Sequence, residues 1–312
     1  MEIVIAGSAR ETATIAADAF ERLLSDTDQP VIGLATGRSP LPTYRELISR
    51  YRGRLVSFAH ARVFLLDEYV GLDPEHPQSC ESFIRRELLD HVDAPEDVLA
   101  VPECAPADFA AAAGAYERRI ADAGGIDLQL LGIGRNGHIG FNEPPSSLGS
   151  RTRLTTLAEA TRRDNASSFD DDPDMVPKRG ITQGVGTILE ARHVVLIATG
   201  EAKSGPIARA VEGPVTAMVP ASALQLHPHA TVLVDEAAGQ QLQHADYYRE
   251  AHRDEPPGDT PGASANSQFL PRHPLQEAGE LRLRAAGMSA AAPTCSSGGD
   301  DYATSEEYEP GP

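Results

Sequence analysis

Apolar and polar positions alternate in blocks along the first 250 residues. Predominantly apolar runs fall at Ile3-Val4-Ile5, Val31 to Ala35, Val63 to Leu66, Ile126 to Ile133, Val194 to Ala198 and Thr231 to Val234. Between them lie stretches whose apolar residues recur at helical spacing: Thr12 to Leu24, Pro40 to Ile48, the alanine-rich segment 107–122 and Ala202 to Val211. A strand with one solvated face shows a period of two, whereas a strand covered by helices on both faces is apolar throughout. The repetition therefore predicts an α/β fold, a doubly wound, mostly parallel, Rossmann-like sheet flanked by helices.

After about Arg249 the blocks stop. The text becomes rich in proline, glycine, serine and acidic residues, interrupted by a short helix-like patch around Leu275 to Met288. Such composition buries too little apolar surface to offset the entropy of ordering, so the sequence predicts two regions. Residues 1–250 form the folded domain, and 251–312 form a low-complexity, disordered tail.

Composition narrows the partners. In 312 residues, 27 Lys and Arg stand against 46 Asp and Glu, a net charge of −19. The mean field of such a chain repels nucleic acid and acidic membrane surfaces. There is no apolar run near the roughly 20 residues of a membrane span, and the first residues lack a basic segment followed by an apolar one, so a soluble, cytoplasmic protein is expected. The three cysteines, Cys80, Cys104 and Cys295, are too scattered for a disulfide framework or a zinc knuckle.

Three segments carry candidate chemistry. In the first, the strand ending at Ala35 runs through Thr36, Gly37, Arg38 and Ser39 into a helix. Ser39 is the expected N-cap and Pro40 the first helical residue, which would leave free amides at 36–39 for an anion. In the second, Asp67 and Glu68 end an apolar strand, where open parallel sheets form their ligand crevice. Adjacent strand residues point oppositely, so one of the two carboxylates is expected to face a ligand and the other to tie a loop or meet solvent. In the third, Gly132, Gly134, Gly137 and Gly140 surround His138, with Asn136 before it and Glu143 after it. A histidine among glycines has few neighbours to bury it, and the nearby amide and carboxylate can fix its tautomer. One histidine and one carboxylate are too few for a metal, so none is expected.

Taken together, LATGRSPLPTY (34–44), LLDEYVGL (65–72), EHPQSCESF (75–83), LLGIGRNGHIGFNEP (130–144), VPKRGITQGVGTIL (176–189) and ATGEAKS (198–204) resemble the glucosamine-6-phosphate deaminase family. The resemblance spans nearly all of 1–250. It implies ring opening of glucosamine 6-phosphate, aldose-to-ketose isomerisation and release of ammonia, with no cofactor and a small-molecule sugar phosphate as the partner. It also implies that His138 moves the ring-opening proton, that Asp67 removes the C2 proton, and that Glu143 and Asn136 orient the imidazole. The phosphate would meet Thr36, Gly37, Arg38, Ser39 and Lys203. Family members also use an arginine at the position that is Ser167 here, which leaves Arg38, Arg162 or Arg163 as candidate substitutes. A divergent isomerase or dehydratase and a catalytically impaired sensor are the alternatives. The resemblance is compatible with a homo-oligomer.

Overall fold

The computed structural model describes residues 1–104 and 106–253. Ten strands are present among them: β1 Glu2–Ala6, β2 Val31–Leu34, β3 Arg62–Leu65, β4 Asp67–Tyr69, β5 Leu99–Ala100, β6 Leu128–Leu131, β7 Arg153–Thr156, β8 Arg179–Thr182, β9 His193–Ala198 and β10 Ala230–Asp235. Seven of them form one parallel sheet in the order β1-β10-β9-β6-β2-β3-β5.

Burial on both faces is visible residue by residue. Ile32, Leu34, Val63, Leu65, Leu128 and Leu130 feed one core, while Val31, Phe64, Leu131, Val194 and Leu196 feed another on the opposite side of the sheet. The helix Ala9–Asp26 shows how a covering element is specified. Ser8 caps it by accepting from Glu11 N, and Ala13, Ala16, Ala17, Phe20 and Leu23 form a single buried face. This is the doubly wound fold the apolar blocks predict. No helix among the described residues is long and apolar enough to cross a membrane.

A second, three-stranded antiparallel sheet, β4-β8-β7, is not legible in the blocks. Leu66 joins the two sheets. Its N–H donates to Leu34 O in the large sheet (3.0 Å), and its carbonyl accepts from Gln183 N beyond β8 (2.9 Å). Asp67 and Glu68 therefore stand at a corner where the chain leaves the parallel sheet. Chain order decides where the crevice opens. From β2 the chain moves outward through β3 to β5, then returns to the other side of β2 as β6 and moves the opposite way to β9 and β10. The loops after β2 and β6 thus diverge, and a gap opens between them at the carboxyl ends of the strands.

The last described helix, Ala245–Arg253, packs against β1 and runs past residue 250. The expected tail, and the helix-like patch within it, otherwise lie outside the described residues.

Candidate functional site

A cavity of about 370 Å³ occupies that gap. Thr36, Gly37, Arg38 and Ser39 line it from the loop after β2, Gly134, Arg135, His138 and Gly140 from the loop after β6, and Asp67 from β4. Asp164 and Ser167 come from the segment around the helix Glu159–Asn165, and Lys203 from the turn before the helix Ser204–Val211. All three sequence segments converge on one space.

The two carboxylates of β4 divide as the strand geometry requires. Glu68 is buried and accepts from three backbone amides, Tyr69 N (2.7 Å) and Cys80 N (2.9 Å) on Oε1 and Glu81 N (2.9 Å) on Oε2. It ties down the start of the helix Cys80–Glu87 at its positive end. Asp67 is also buried, but the one side chain among the described residues that hydrogen-bonds its carboxylate is Cys80, with Sγ 3.7 Å from Oδ1. Burial, reinforced by the neighbouring Glu68 charge, raises its pKa to about 7, against a smaller lowering from Cys80.

His138 is held from behind. Asn136 Oδ1 lies 2.8 Å from Nδ1 and accepts the His138 backbone N–H at 3.1 Å. The amide's own orientation is set by Glu143, because Asn136 Nδ2 donates to Glu143 Oε2 at 2.6 Å. With Oδ1 as acceptor, Nδ1 is the protonated nitrogen of the neutral tautomer, in which Nε2 is the free acceptor. Burial by itself would raise the Glu143 pKa, but His138, Thr161 and Asn136 outweigh it and bring it down to about 2. Glu143 is therefore an anion at neutral pH, with Oε1 anchored by Ala158 N at 3.2 Å. Neither Asn136 nor Glu143 lines the cavity; both reach it through the imidazole. Gly134 makes the ring's place, since a Cβ there would stand 2.1 Å from His138 Cε1.

Arg38, Arg135 and Lys203 bring positive charge to the cavity wall. Gly37 has φ +100, a conformation that favours glycine, and it turns the chain after Thr36. The N-cap expectation is corrected here. Pro40, not Ser39, occupies that position, accepting Tyr44 N at 3.1 Å, and the helix runs Leu41–Arg52 with no side-chain cap. Prolines at 40 and 42 supply no N–H, so the helix start has fewer donors to cap and Ser39 is left facing the cavity. Among the described residues the amides of Gly37, Arg38 and Ser39 have no acceptor.

Arg38 lies beside position 167. Its Nη2 donates to Ser167 Oγ at 3.2 Å, and it forms no ion pair among the described residues. Arg162 and Arg163 do not line the cavity, and their guanidinium groups are engaged elsewhere. Arg162 donates to Pro173 O (3.0 Å) near Asp174, and Arg163 pairs with Glu159 on its own helix, while Thr161 is buried and Asp164 lines the cavity. Lys203 donates to Ile133 O at 2.6 Å, and burial lowers its pKa despite the attraction of Asp164. Two contributors went unnoticed in the sequence. Arg135, paired with Asp164 at 2.8 Å, stands exposed at the mouth, and Cys80 touches Asp67. Arg135 had a signal, being a cation inside the glycine loop; Cys80 had none, because its approach depends on the second sheet.

No group of three or more His, Cys, Asp or Glu side chains is placed to hold a metal ion among the described residues. Residues 6–234 match the family model described as glucosamine-6-phosphate isomerases/6-phosphogluconolactonase. Glucosamine-6-phosphate deaminase of Streptomyces coelicolor is 53% identical over 256 residues, covering 82% of this chain and 98% of that one. A solved structure of a monomeric glucosamine-6-phosphate deaminase is 37% identical with a TM-score of 0.75, covering 77% of this chain and 100% of that one. The 6-phosphogluconolactonase of Trypanosoma cruzi, 22% identical with a TM-score of 0.61 over 78% of this chain and 97% of its own, shares the fold. With its glycine-cradled histidine, its corner carboxylate and this match over most of its described length, the chain belongs to the glucosamine-6-phosphate isomerase/6-phosphogluconolactonase family.

Proposed function

We propose that the protein is a glucosamine-6-phosphate deaminase, converting glucosamine 6-phosphate and water to fructose 6-phosphate and ammonia. The observation that carries this reading is a buried carboxylate, Asp67, sharing one cavity with a bare imidazole nitrogen and a cation-lined, amide-rich loop. Deaminases of the same family at 53% and 37% identity support the choice of substrate.

The chemistry follows from the groups. His138 Nε2 takes the proton from the sugar's O1 and delivers it to O5, opening the ring to the aldehyde. The fixed Nδ1–H, held by Asn136 and backed by the Glu143 anion, keeps the imidazole in the tautomer this step needs. The C2 hydrogen is then acidified by the neighbouring carbonyl, and Asp67 removes it. A carboxylate whose pKa is raised to about 7 is a stronger base than a solvated one and is still ionised in part at neutral pH. The resulting amino-enol takes a proton back at C1, giving a ketimine that water hydrolyses to fructose 6-phosphate and ammonia. The 6-phosphate would lie on the amides of Gly37 to Ser39, with Arg38 and Lys203 supplying charge.

The test is to incubate purified protein separately with glucosamine 6-phosphate and with 6-phosphogluconolactone. Equal amounts of ammonia and fructose 6-phosphate are expected from the first, and no enzymatic hydrolysis of the second. Lactone hydrolysis without ammonia release would overturn the proposal.

A further inference from the structure

Cys80 has no part in the reaction as drawn, yet it lies against the base. It opens the helix Cys80–Glu87, is buried, and lines the cavity. Its Sγ is 3.7 Å from Asp67 Oδ1 and 3.8 Å from Thr36 Oγ1. A thiol has one hydrogen and an ionised carboxylate only accepts, so when Asp67 is in its basic form the directions are fixed: Cys80 donates to Oδ1, and the Thr36 hydroxyl donates to the sulfur. Three elements meet at this atom, namely the loop after β2, strand β4 and the helix that Glu68 anchors.

We propose that Cys80 is a positioning residue for Asp67. It engages Oδ1 and leaves Oδ2, which is turned toward the Gly140 wall of the cavity, to meet the C2 proton. This assignment rests on the deaminase reading. The choice of sulfur has a chemical sense, because S–H is a weak donor. A stronger donor in contact with Oδ1 would stabilise the anion and weaken the base. Burial and the nearby carboxylates hold the Cys80 pKa well above its ordinary value, so the thiol keeps its hydrogen at working pH.

The other titratable and charged groups around Asp67 act without touching it. Glu68 and Tyr69 belong to its own strand, and Tyr116 comes from the helix Phe109–Asp122. His138, Lys203, Arg38 and Arg135 share the cavity. Thr36 and Thr182 bring hydroxyls, from the loop after β2 and from β8.

The experiment follows the Asp67 carboxyl carbon by NMR as pH is varied, in wild type, Cys80→Ala and Cys80→Ser, the signal being identified by its loss in Asp67→Asn. The pH dependence of ammonia release is measured in parallel. Loss of the donor in Cys80→Ala should raise both the carboxyl titration and the acid limb of kcat/KM by about half a unit. At pH 8.5, where the carboxylate is ionised in both proteins, kcat should fall about three- to tenfold because the group is free to turn. Cys80→Ser, which keeps a donor and a stronger one, should return the carboxyl titration to its wild-type position or below it and recover most of the alkaline kcat. If Cys80→Ala leaves the titration and the alkaline kcat in place, the assignment is wrong. A wild type that released no ammonia would defeat the deaminase reading instead, and the titration alone would still decide whether Cys80 holds the carboxylate.

Discussion

Around Asp67 and His138, each of these two side chains is buried or gripped from behind, by Cys80 in one case and by Asn136 and Glu143 in the other. Along the cation-bearing part of the wall, Arg38 is exposed and among the described residues hydrogen-bonds a serine hydroxyl, Ser167, and the Arg135 side chain is 69% exposed. Proton transfer at carbon needs a base fixed within hydrogen-bond reach and kept from water, whereas capture of a phosphate needs charge that a diffusing anion can find. In a chain of net charge −19 that second task falls to local groups. The division implies that substitutions in the first group act on kcat and those in the second on KM.

Asp67→Asn gives the largest expected effect, a loss of about 10²- to 10⁴-fold in kcat with KM nearly unchanged. Its stability should move the other way. The folded-state pKa of Asp67 is raised, so the folded protein loses stability as pH climbs from the unfolded carboxylate's range through about 7, and the amide escapes that loss. The variant should therefore melt higher than wild type at pH 8, with the gap closing toward pH 4. Equal melting curves at pH 8 would show that Asp67 is not desolvated.

Arg38→Ala comes next, with KM for glucosamine 6-phosphate expected to rise by about 10- to 150-fold while kcat holds, as for loss of one charge-assisted contact. A fall in kcat at unchanged KM would erase the distinction between the two groups. Smaller over a single unit is the effect of pH on the intact protein. Below about 7, Asp67 takes up its proton, so kcat/KM should fall tenfold for each unit of acidification. A limb near 4 instead would mean a solvated carboxylate.

Glu68→Gln tests the boundary between adjacent residues. Removing a charged acceptor of three amides should lower the melting temperature by a few degrees, since such bonds are worth about 1.5–3 kcal/mol. Loss of the Glu68 charge should also lower the Asp67 pKa and draw the acid limb downward by a few tenths of a unit. An acid limb that stays where it was would show the two carboxylates to be electrically independent.

The parallel sheet was legible because burial on two faces leaves uniform apolar runs, and the site because glycine, histidine and carboxylate cluster at strand ends. What escaped depends on contacts between segments distant in sequence. The three-residue strand Asp67–Tyr69 carries no period of its own, and its pairing with β8 appears only when Leu66 bridges the two sheets. Cys80 reaches Asp67 through that corner, so thirteen residues of separation conceal a contact. Position 167 is the converse case. The sequence exposes the serine, but only the turn after Gly37 shows that Arg38 bends across to it, while the pitch of the helix Glu159–Asn165 sends Arg162 and Arg163 elsewhere.

Gly134 has nothing to titrate, donate from a side chain or accept, yet its missing methyl is the volume the imidazole occupies. Its backbone N–H meets the carbonyl of His138, so the turn that seats the ring also closes on it. Alanine here would be the mildest change available to a codon and would evict the ring while sparing the sheet beneath. In a survey of random variants, this position should prove as intolerant as the histidine itself, and a loss of function mapped to it would report on space rather than on chemistry.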